Sequence, residues 1–293
     1  MSLVINHNLM AMNAARSLNV SYNKLATSVQ RLSSGLRVNS AQDDAAGLAV
    51  REIMRTDIRV LNQGVRNAND AISLIQTADG AFSVIDEKLT RMKELAEQAA
   101  TGTYTTAQRL IMDSEYQAMA SEITRIAKAT DFNGVKLLDG SLSGTAVDGT
   151  EQMKIHFGTG NSSAEDYYYI KIGESTASAL GVGAATGLDK AGGTISTQSA
   201  AQMALDAIDS AIRIKDNIRA NLGGIANRLS NTISNLSIQA ENLQSAESRI
   251  SDVDVATEMT DFTSNQIKVQ AAVAMLAQAN SLPQLALQLL QGG

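Results

Sequence analysis

A chain of 293 residues with 44% hydrophobic side chains can bury the core of one large or two modest domains. Its formal net charge of −6 argues against nucleic-acid binding, because that function normally requires a basic surface. The chain has no cysteine and only two histidines, His7 and His156, and neither has a partner at metal-ligand spacing. We therefore expect no metal site, no cofactor and no enzyme activity. No apolar run reaches about 18 residues, so we also expect no membrane insertion.

The first predicted helix carries an apolar seam. Leu18, Tyr22, Leu25, Val29 and Leu32 are spaced alternately four and three residues apart, which is the a/d pattern of a coiled coil. The seam stops where a glycine and several polar residues follow.

The longest predicted helix extends from Ala41 to Ala100 without a proline. Its apolar positions keep heptad spacing from Ile58 to Ile75, slip once, and resume at Ala78. A short loop at 102–106 leads to a third seam, so the two helices are expected to form an antiparallel hairpin.

The clearest heptad repeat lies in the last third of the chain, whereas the middle has no helical period. Residues 131–197 instead contain an Asn133-Gly134 turn, two β-forming segments expected to pair as a hairpin, and a Gly-rich loop. The predicted fold is mainly α: a long coiled-coil bundle or rod formed by the N- and C-terminal helices, with a small β-hairpin region in the middle. The heptad repeat in the last third of the chain is formed by Leu222, Leu229, Leu236, Leu243 and Ile250.

Two adjacent aspartates, Asp43 and Asp44, fit either a metal or acid–base site or the start of a helix. Ser40 precedes Asp43 by three residues, which is the spacing of a capping box with Ser40 as N-cap. Asp44 would add negative charge where the helix dipole is positive. No histidine or third carboxylate lies within one helical turn, so the sequence favours the cap.

Both ends of the chain are nearly free of charge. Residues 1–15 contain no charged side chain apart from a protonated His7, and residues 269–293 contain none. Two neutral apolar helices cannot cover each other on all sides, so we expect neighbouring copies to bury them in a helical polymer. The alternative is that the ends pack against the body of the same chain. The predicted self-assembly side chains are Ile5, Leu9, Leu18, Leu25, Leu32, Val273, Leu276, Leu282, Leu285, Leu289 and Leu290.

Seven methionines lie on or near the apolar stripes, and we interpret them as core-filling residues. They are Met10, Met12, Met54, Met92, Met112, Met119 and Met275.

Several long segments resemble bacterial flagellin, in the order in which that family carries them. Near the N-terminus these are INHNLMAMNAARSL, QRLSSGLRVNSAQDDAAGLAVRE and GVRNANDAISLIQTADGA, followed by FNGVKLLDG. Toward the C-terminus they are LGGIANRLSNTISNL, SAESRISDVDVATEMT and AMLAQANSLPQLALQLL. The likeness extends over nearly the whole chain except about residues 140–197.

The resemblance implies a subunit that self-assembles into the helical filament of the bacterial flagellum. It places residues 1–40 and 255–293 in an inner domain that lines the filament channel. Residues 41–197 and 198–254 would form a helical domain with the β-hairpin at about 131–180, and no large outer domain is expected.

The resemblance also implies partners and a location. The family is exported unfolded, without a cleaved signal peptide, and a dedicated chaperone holds its C-terminal segment. Filament cap and hook-junction proteins are further expected partners. An innate immune receptor of animals recognises many flagellins, and the likeness of LTRMKELAEQA to its contact motif places Arg91, Leu95 and Glu115 at matching positions.

Two alternatives stay open at this point. A junction protein between hook and filament would share the end patterns without polymerising at length. A soluble coiled-coil adaptor would share the heptads without needing uncharged ends.

Overall fold

The computed structural model describes residues 8–144, 152–162, 165–183 and 192–291, with side-chain burial described as far as residue 281. The prediction of a mainly α fold with a small β region in the middle is confirmed. The Gly-rich segment predicted as a loop lies partly outside the described residues, at 184–191. In chain order the elements are α1 (Leu9–Ser34), α2 (Ala45–Ala100), α3 (Thr106–Ala129), β1 (Asp131–Phe132), β2 (Val135–Lys136), β3 (Met153–His156), β4 (Tyr167–Ile170), α4 (Ala177–Leu180), α5 (Gln198–Ser251) and α6 (Val255–Gln291).

The chain divides into two compact units, one of residues 1–58 with 241–293 and one of residues 59–240. This division falls inside α2 and α5, whereas the predicted domain boundaries at 40 and 255 follow the helix breaks. Among the described helices, none is both long and apolar enough for a membrane span.

The 59–240 unit is built on the heptad positions of α2, α3 and α5. Along α2 the buried side chains follow the predicted pattern after the slip, from Ala78 through Phe82 to Ala99. On α3 the core positions are Tyr116, Ala120, Ile123 and Ala127, while several predicted seam residues are only partly buried against them. Leu222 and Leu229 complete the core from α5. Alanines fill many of the buried positions in this set, in a chain with only 3% aromatic residues.

A row of ion pairs fixes the antiparallel register of α2 and α5. Asp79 Oδ1 lies 2.7 Å from Arg219 Nε, and Lys93 Nζ lies 2.6 Å from Asp209 Oδ1. Between them Lys215, whose side chain is only 3% exposed, pairs with Asp86. Because a slip by one heptad would place Asp86 near Asp209, this order of charges favours the observed register.

The α2–α3 hairpin is confirmed, and its second helix begins with a capping box. The Thr105 hydroxyl accepts a hydrogen bond from the Gln108 N–H at 3.4 Å, and Gln108 Oε1 accepts one from the Thr105 N–H at 2.9 Å. The reciprocal bonds satisfy two N–H groups that the first turn of a helix leaves without partners.

Both predicted β-turn regions are also confirmed. β1 and β2 pair across Asn133 and Gly134, whose φ angles of 52° and 81° are those of a type I′ hairpin turn. β3 and β4 pair antiparallel, with Met153 opposite Ile170 and His156 opposite Tyr167.

The second hairpin rests directly on α2 through a glycine. A Cβ atom on Gly64 would lie 2.1 Å from the Phe157 carbonyl oxygen, so only glycine permits this approach. One turn further on, Asn67 Nδ2 donates a hydrogen bond of 2.8 Å to the His156 carbonyl. The hairpin is therefore held against α2 by a close backbone contact and a side-chain clamp.

In the other unit, α1 and α6 lie antiparallel. Asn8 Nδ2 donates a hydrogen bond of 2.7 Å to the Ala279 carbonyl near one end of the pair, and Arg31 Nη1 lies 3.5 Å from Glu258 Oε2 near the other. Helix α1 ends at Gly35, whose φ of 73° is the left-handed conformation of a helix C-cap. The exit from α1 pairs with the α5–α6 connection, since the Arg37 N–H donates to the Ser251 carbonyl at 2.7 Å.

Candidate assembly surface

The helix pair α1–α6 has almost no buried apolar core. Among the described side chains of the two helices, those that are buried are Ser28, Glu258, Asn265 and Ala279. Each is small or polar, in contrast to the fully buried Phe82 of the 59–240 unit. The pair therefore gains little from hydrophobic burial within one chain.

Only part of the predicted apolar seam of α1 is covered within the chain. The prediction of one continuous packed seam is therefore wrong for the single chain. Leu18, Leu25 and Leu32 are half-buried, but Tyr22 is 62% exposed and Val29 is 49% exposed. The reason is that α6 is a single partner and covers one stripe of α1, so the second stripe faces outward.

Large apolar side chains are exposed along both helices. Soluble monomers rarely expose large contiguous apolar patches, so such a pair of helices marks an interaction surface. On α1 the exposed side chains are Leu9, Met10, Met12, Val20, Tyr22 and Val29; on α6 they are Val255, Met259, Ile267, Val273 and Met275. We call these eleven side chains the terminal apolar surface.

The antiparallel arrangement brings the two charge-free stretches together. Residues 8–15 of α1 lie beside the part of α6 that follows Lys268, as the Asn8–Ala279 hydrogen bond shows. Between them lies an open groove of about 300 Å³, lined by Met10, Asn13, Ala14, Ser17, Ala272 and Met275. A partner that enters this groove desolvates no ionised side chain.

The predicted assembly residues differ in how much of each side chain is exposed. Leu9 is 66% exposed and Val273 is 52% exposed, while Leu276 is half-buried. Ile5 lies outside the described residues. The side chains of four further predicted residues on α6 also lie outside the described part: Leu282, Leu285, Leu289 and Leu290.

The terminal apolar surface contains residues that the sequence analysis assigned to the core. Met10, Met12 and Met275 are 55%, 58% and 67% exposed, so their interpretation as core-filling residues is wrong. Only Met92 of the seven is fully buried. Apolar spacing identifies a stripe but not whether the same chain covers it. The sequence signal for an exposed stripe was the absence of charged residues around Met10, Met12 and Met275.

The N-cap of α2 is Asp44, four residues later than the predicted Ser40. The Asp43 carboxylate closes a turn instead, accepting hydrogen bonds from the N–H groups of Ser40 at 2.9 Å and Asn39 at 3.1 Å. These bonds, the one from Ser40 first, lower the pKa of Asp43. Helix α2 begins at Ala45, and Asp44 is its N-cap, because Asp44 Oδ1 accepts from the Gly47 N–H at 2.9 Å.

The correction has a physical reason. A carboxylate three residues after Ser40 reaches back to the Ser40 N–H in a free turn as well as in a helix. The Asp44 side chain folds over the first turn of α2, where a Cβ at Gly47 would lie 2.3 Å from its Oδ2 atom. Both carboxylates thus bind backbone N–H groups. Among the residues that the structure describes, no group of three histidine, aspartate or glutamate side chains converges on a point.

We expect Asp44→Ala to lower the free energy of unfolding by about 1 kcal/mol, because the first turn of α2 loses its cap. Urea denaturation followed by circular dichroism measures this. Asp70→Ala, at an exposed position within the same helix, is the matched control and should change stability little. Equal effects of the two substitutions would show that Asp44 is not the cap.

The three residues placed by resemblance at an immune-receptor contact do not share one surface. Arg91 and Glu115 are exposed, and Arg91 Nη2 lies 2.9 Å from Glu115 Oε1. A hydrogen bond with Glu94, followed by the one with Glu115, raises the pKa of Arg91. Leu95 is only 2% exposed and belongs to the core, so its prediction as a direct contact is wrong for this fold.

A mainly helical chain with a well-packed unit and a second unit that exposes apolar helices is typical of a self-associating structural protein. Two family models match it. The bacterial flagellin N-terminal helical region matches residues 5–143, and the bacterial flagellin C-terminal helical region matches residues 205–290. The chain therefore belongs to the bacterial flagellin family.

Individual proteins agree with the family models. A flagellin of Halalkalibacterium halodurans is 43% identical over 289 residues, which are 99% of this chain and 100% of that protein. A flagellar filament 33 kDa core protein of Treponema phagedenis is 41% identical over 291 residues, 99% of this chain and 100% of that protein. A solved structure described as a flagellar hook-associated protein of Vibrio parahaemolyticus gives a TM-score of 0.55 at 16% identity. It covers 72% of this chain and 100% of that one, and it supports the fold alone.

The predicted family and function are confirmed. The chain is a structural subunit of the flagellar filament, which lies outside the cell, and it polymerises with other flagellin subunits. The names of these relatives support a filament subunit rather than a soluble coiled-coil adaptor.

Proposed function

We propose that the terminal apolar surface of α1 and α6 is where copies of this chain meet in the filament. Residues 1–40 with 255–293 then form the inner domain that lines the channel. The observation that carries the proposal is that both helices expose large apolar side chains, while their buried side chains as far as residue 281 are small or polar. A neighbouring copy that covered them would gain about 25 cal/mol for each Å² of apolar area removed from water.

The charge distribution supports the same role. Where the ends of α1 and α6 lie together, a neighbouring copy displaces water from neutral side chains only, so association carries no cost of burying an ion. Residues 41–254 would then form the second domain, with the β-hairpins, and no large outer domain is needed for assembly.

The neutral C-terminal segment also suits the other partners that the family implies. Before assembly, 269–293 offers apolar side chains without charge, which is a surface that an export chaperone would shield. Filament cap and hook-junction proteins would bind the same helices at the two filament ends. We also propose that the chain is exported through the flagellar machinery without cleavage of a leader.

Recognition by an innate immune receptor is proposed on Arg91 and Glu115 alone. Both side chains are exposed and oppositely charged, and they lie on neighbouring helices of the hairpin. Leu95 would act only by packing beneath them.

Val273→Ser tests the assembly surface at a position that is 52% exposed in the single chain. We expect the substitution to remove about 1 kcal/mol of apolar burial between copies, which raises the critical concentration for polymerisation roughly fivefold. Seeded elongation followed by light scattering measures this concentration.

Gln270→Ser is the matched control, since it places serine at an exposed polar position one turn earlier on the same helix. It should leave the critical concentration nearly unchanged. A Val273→Ser chain that polymerises like the control would contradict the proposed surface. Wild-type chain that never elongates beyond its seeds would instead favour the hook–filament junction role.

A further inference from the structure

The chain's most oxidisable side chains are its methionines. It has 11 methionines, no cysteine and no tryptophan, so two-electron oxidants meet thioethers first. Oxidation converts a flexible apolar side chain into a polar sulfoxide, and the change is reversible by dedicated reductases.

The methionines differ sharply in exposure. Met92 is fully buried in the core of the 59–240 unit. Among the described residues, the exposed ones are Met10 at 55%, Met12 at 58%, Met203 at 48%, Met259 at 46% and Met275 at 67%. Four of these five lie on α1 and α6, within the terminal apolar surface.

The placement of these four thioethers gives their oxidation a consequence. Met10 and Met275 line the same open groove between α1 and α6. Met259 lies with Ile267 on a face of α6 that also carries Thr260, Thr263, Ser264 and Lys268. A sulfoxide at these positions would carry a strong hydrogen-bond acceptor into the contact with a neighbouring copy. Burying such a group without a partner is unfavourable.

We propose that oxidation of the exposed methionines Met10, Met12, Met259 and Met275 controls whether a free subunit can join the filament. The oxidant is a peroxide or a hypohalous acid. With hydrogen peroxide, the thioether sulfur attacks one oxygen, the O–O bond breaks and an S–O bond forms. The sulfur loses two electrons and the peroxide is reduced to water. This inference rests on the proposed assembly surface, and it adds that assembled subunits are protected because their neighbours cover these sulfurs.

A partition experiment on the wild-type chain tests the proposal without any substitution. Free subunits are oxidised partially with hydrogen peroxide, the peroxide is removed, and filament seeds are added. After elongation, the pellet and the supernatant are digested separately, and the sulfoxide fraction at each methionine is measured by mass spectrometry. Met203 is the internal control, since it is equally exposed but lies in the other unit.

We expect sulfoxide at the four positions to be depleted at least fivefold in the pellet, and Met203 sulfoxide to be distributed evenly. Equal sulfoxide fractions in pellet and supernatant at all five methionines would overturn the proposal. Depletion confined to Met203 would overturn it as well.

A variant experiment gives an independent check. The fourfold substitution Met10→Leu, Met12→Leu, Met259→Leu and Met275→Leu keeps the apolar volume but removes the oxidisable sulfur. After peroxide treatment it should elongate within about twofold of its untreated rate, while wild type and Met203→Leu should slow at least tenfold. Equal slowing of the fourfold variant would contradict the proposal. If the variant does not elongate even untreated, the partition result on wild type decides.

Two different results separate an error in the oxidation proposal from an error in the proposed assembly surface. If Val273→Ser raises the critical concentration but sulfoxides enter the filament freely, only the oxidation proposal is wrong. If Val273→Ser has no effect, the surface itself is wrong.

Discussion

Removal of residues 285–293 is expected to abolish polymerisation while leaving the 59–240 unit folded. The deleted segment contains Leu285, Leu287, Leu289 and Leu290 and no charge. Burying four leucines between copies is worth about 6–12 kcal/mol, against an association cost of about 4–15 kcal/mol. Losing this contribution therefore leaves too little free energy to hold a subunit in the filament.

The 59–240 unit should be unaffected, because its described core is formed by α2, α3, α5 and the β region, all within residues 59–240. Sedimentation and electron microscopy measure polymerisation, and circular dichroism measures the remaining helix. A shorter truncation, of residues 291–293 only, retains all four leucines and is the control that should still polymerise. Filaments from the longer truncation would contradict this account.

Phe82→Ala is expected to lower the free energy of unfolding of the 59–240 unit by about 3–5 kcal/mol. Phe82 is completely buried at the α2 core position that follows the heptad slip, and no smaller side chain fills its volume. Thermal or urea denaturation of the monomeric chain, followed by circular dichroism, measures the loss.

Val84→Ala is the matched control for the core substitution. Val84 lies half a turn away on α2 and is 41% exposed, so its truncation should cost less than about 1 kcal/mol. If the two substitutions had the same effect, the assignment of the α2 core would be wrong.

The elements that local periodicity specifies were predictable from sequence. The heptads of α2 and α5, the α2–α3 hairpin and the Asn133-Gly134 turn follow from side-chain spacing and turn chemistry. Each of these depends on residues close together in the chain, or on a partner helix with an equally clear pattern. The register of α2 against α5 was not predicted, and it is given by ion pairs such as Asp79 with Arg219.

The features that were missed depend on which surfaces meet. The spacing of Tyr22 and Val29 indicates an apolar stripe, but a stripe does not state whether its partner is the same chain or another copy. The position of Leu95 in the resemblance motif carried no information about burial. The cap is Asp44 rather than Ser40 because Asp43 binds the Ser40 N–H in a turn before the helix, whereas Asp44 binds the Gly47 N–H in the first turn of α2.

The central claim is that the helices at the two ends become stable mainly by packing against other copies. Amide hydrogen exchange compares α1 and α6 in the dilute chain with the same helices in the filament. The account predicts exchange in residues 8–34 and 255–281 that is at least about tenfold slower in the filament, because these helices bury few apolar side chains alone. Equally strong protection of both helices in the dilute single chain would contradict it.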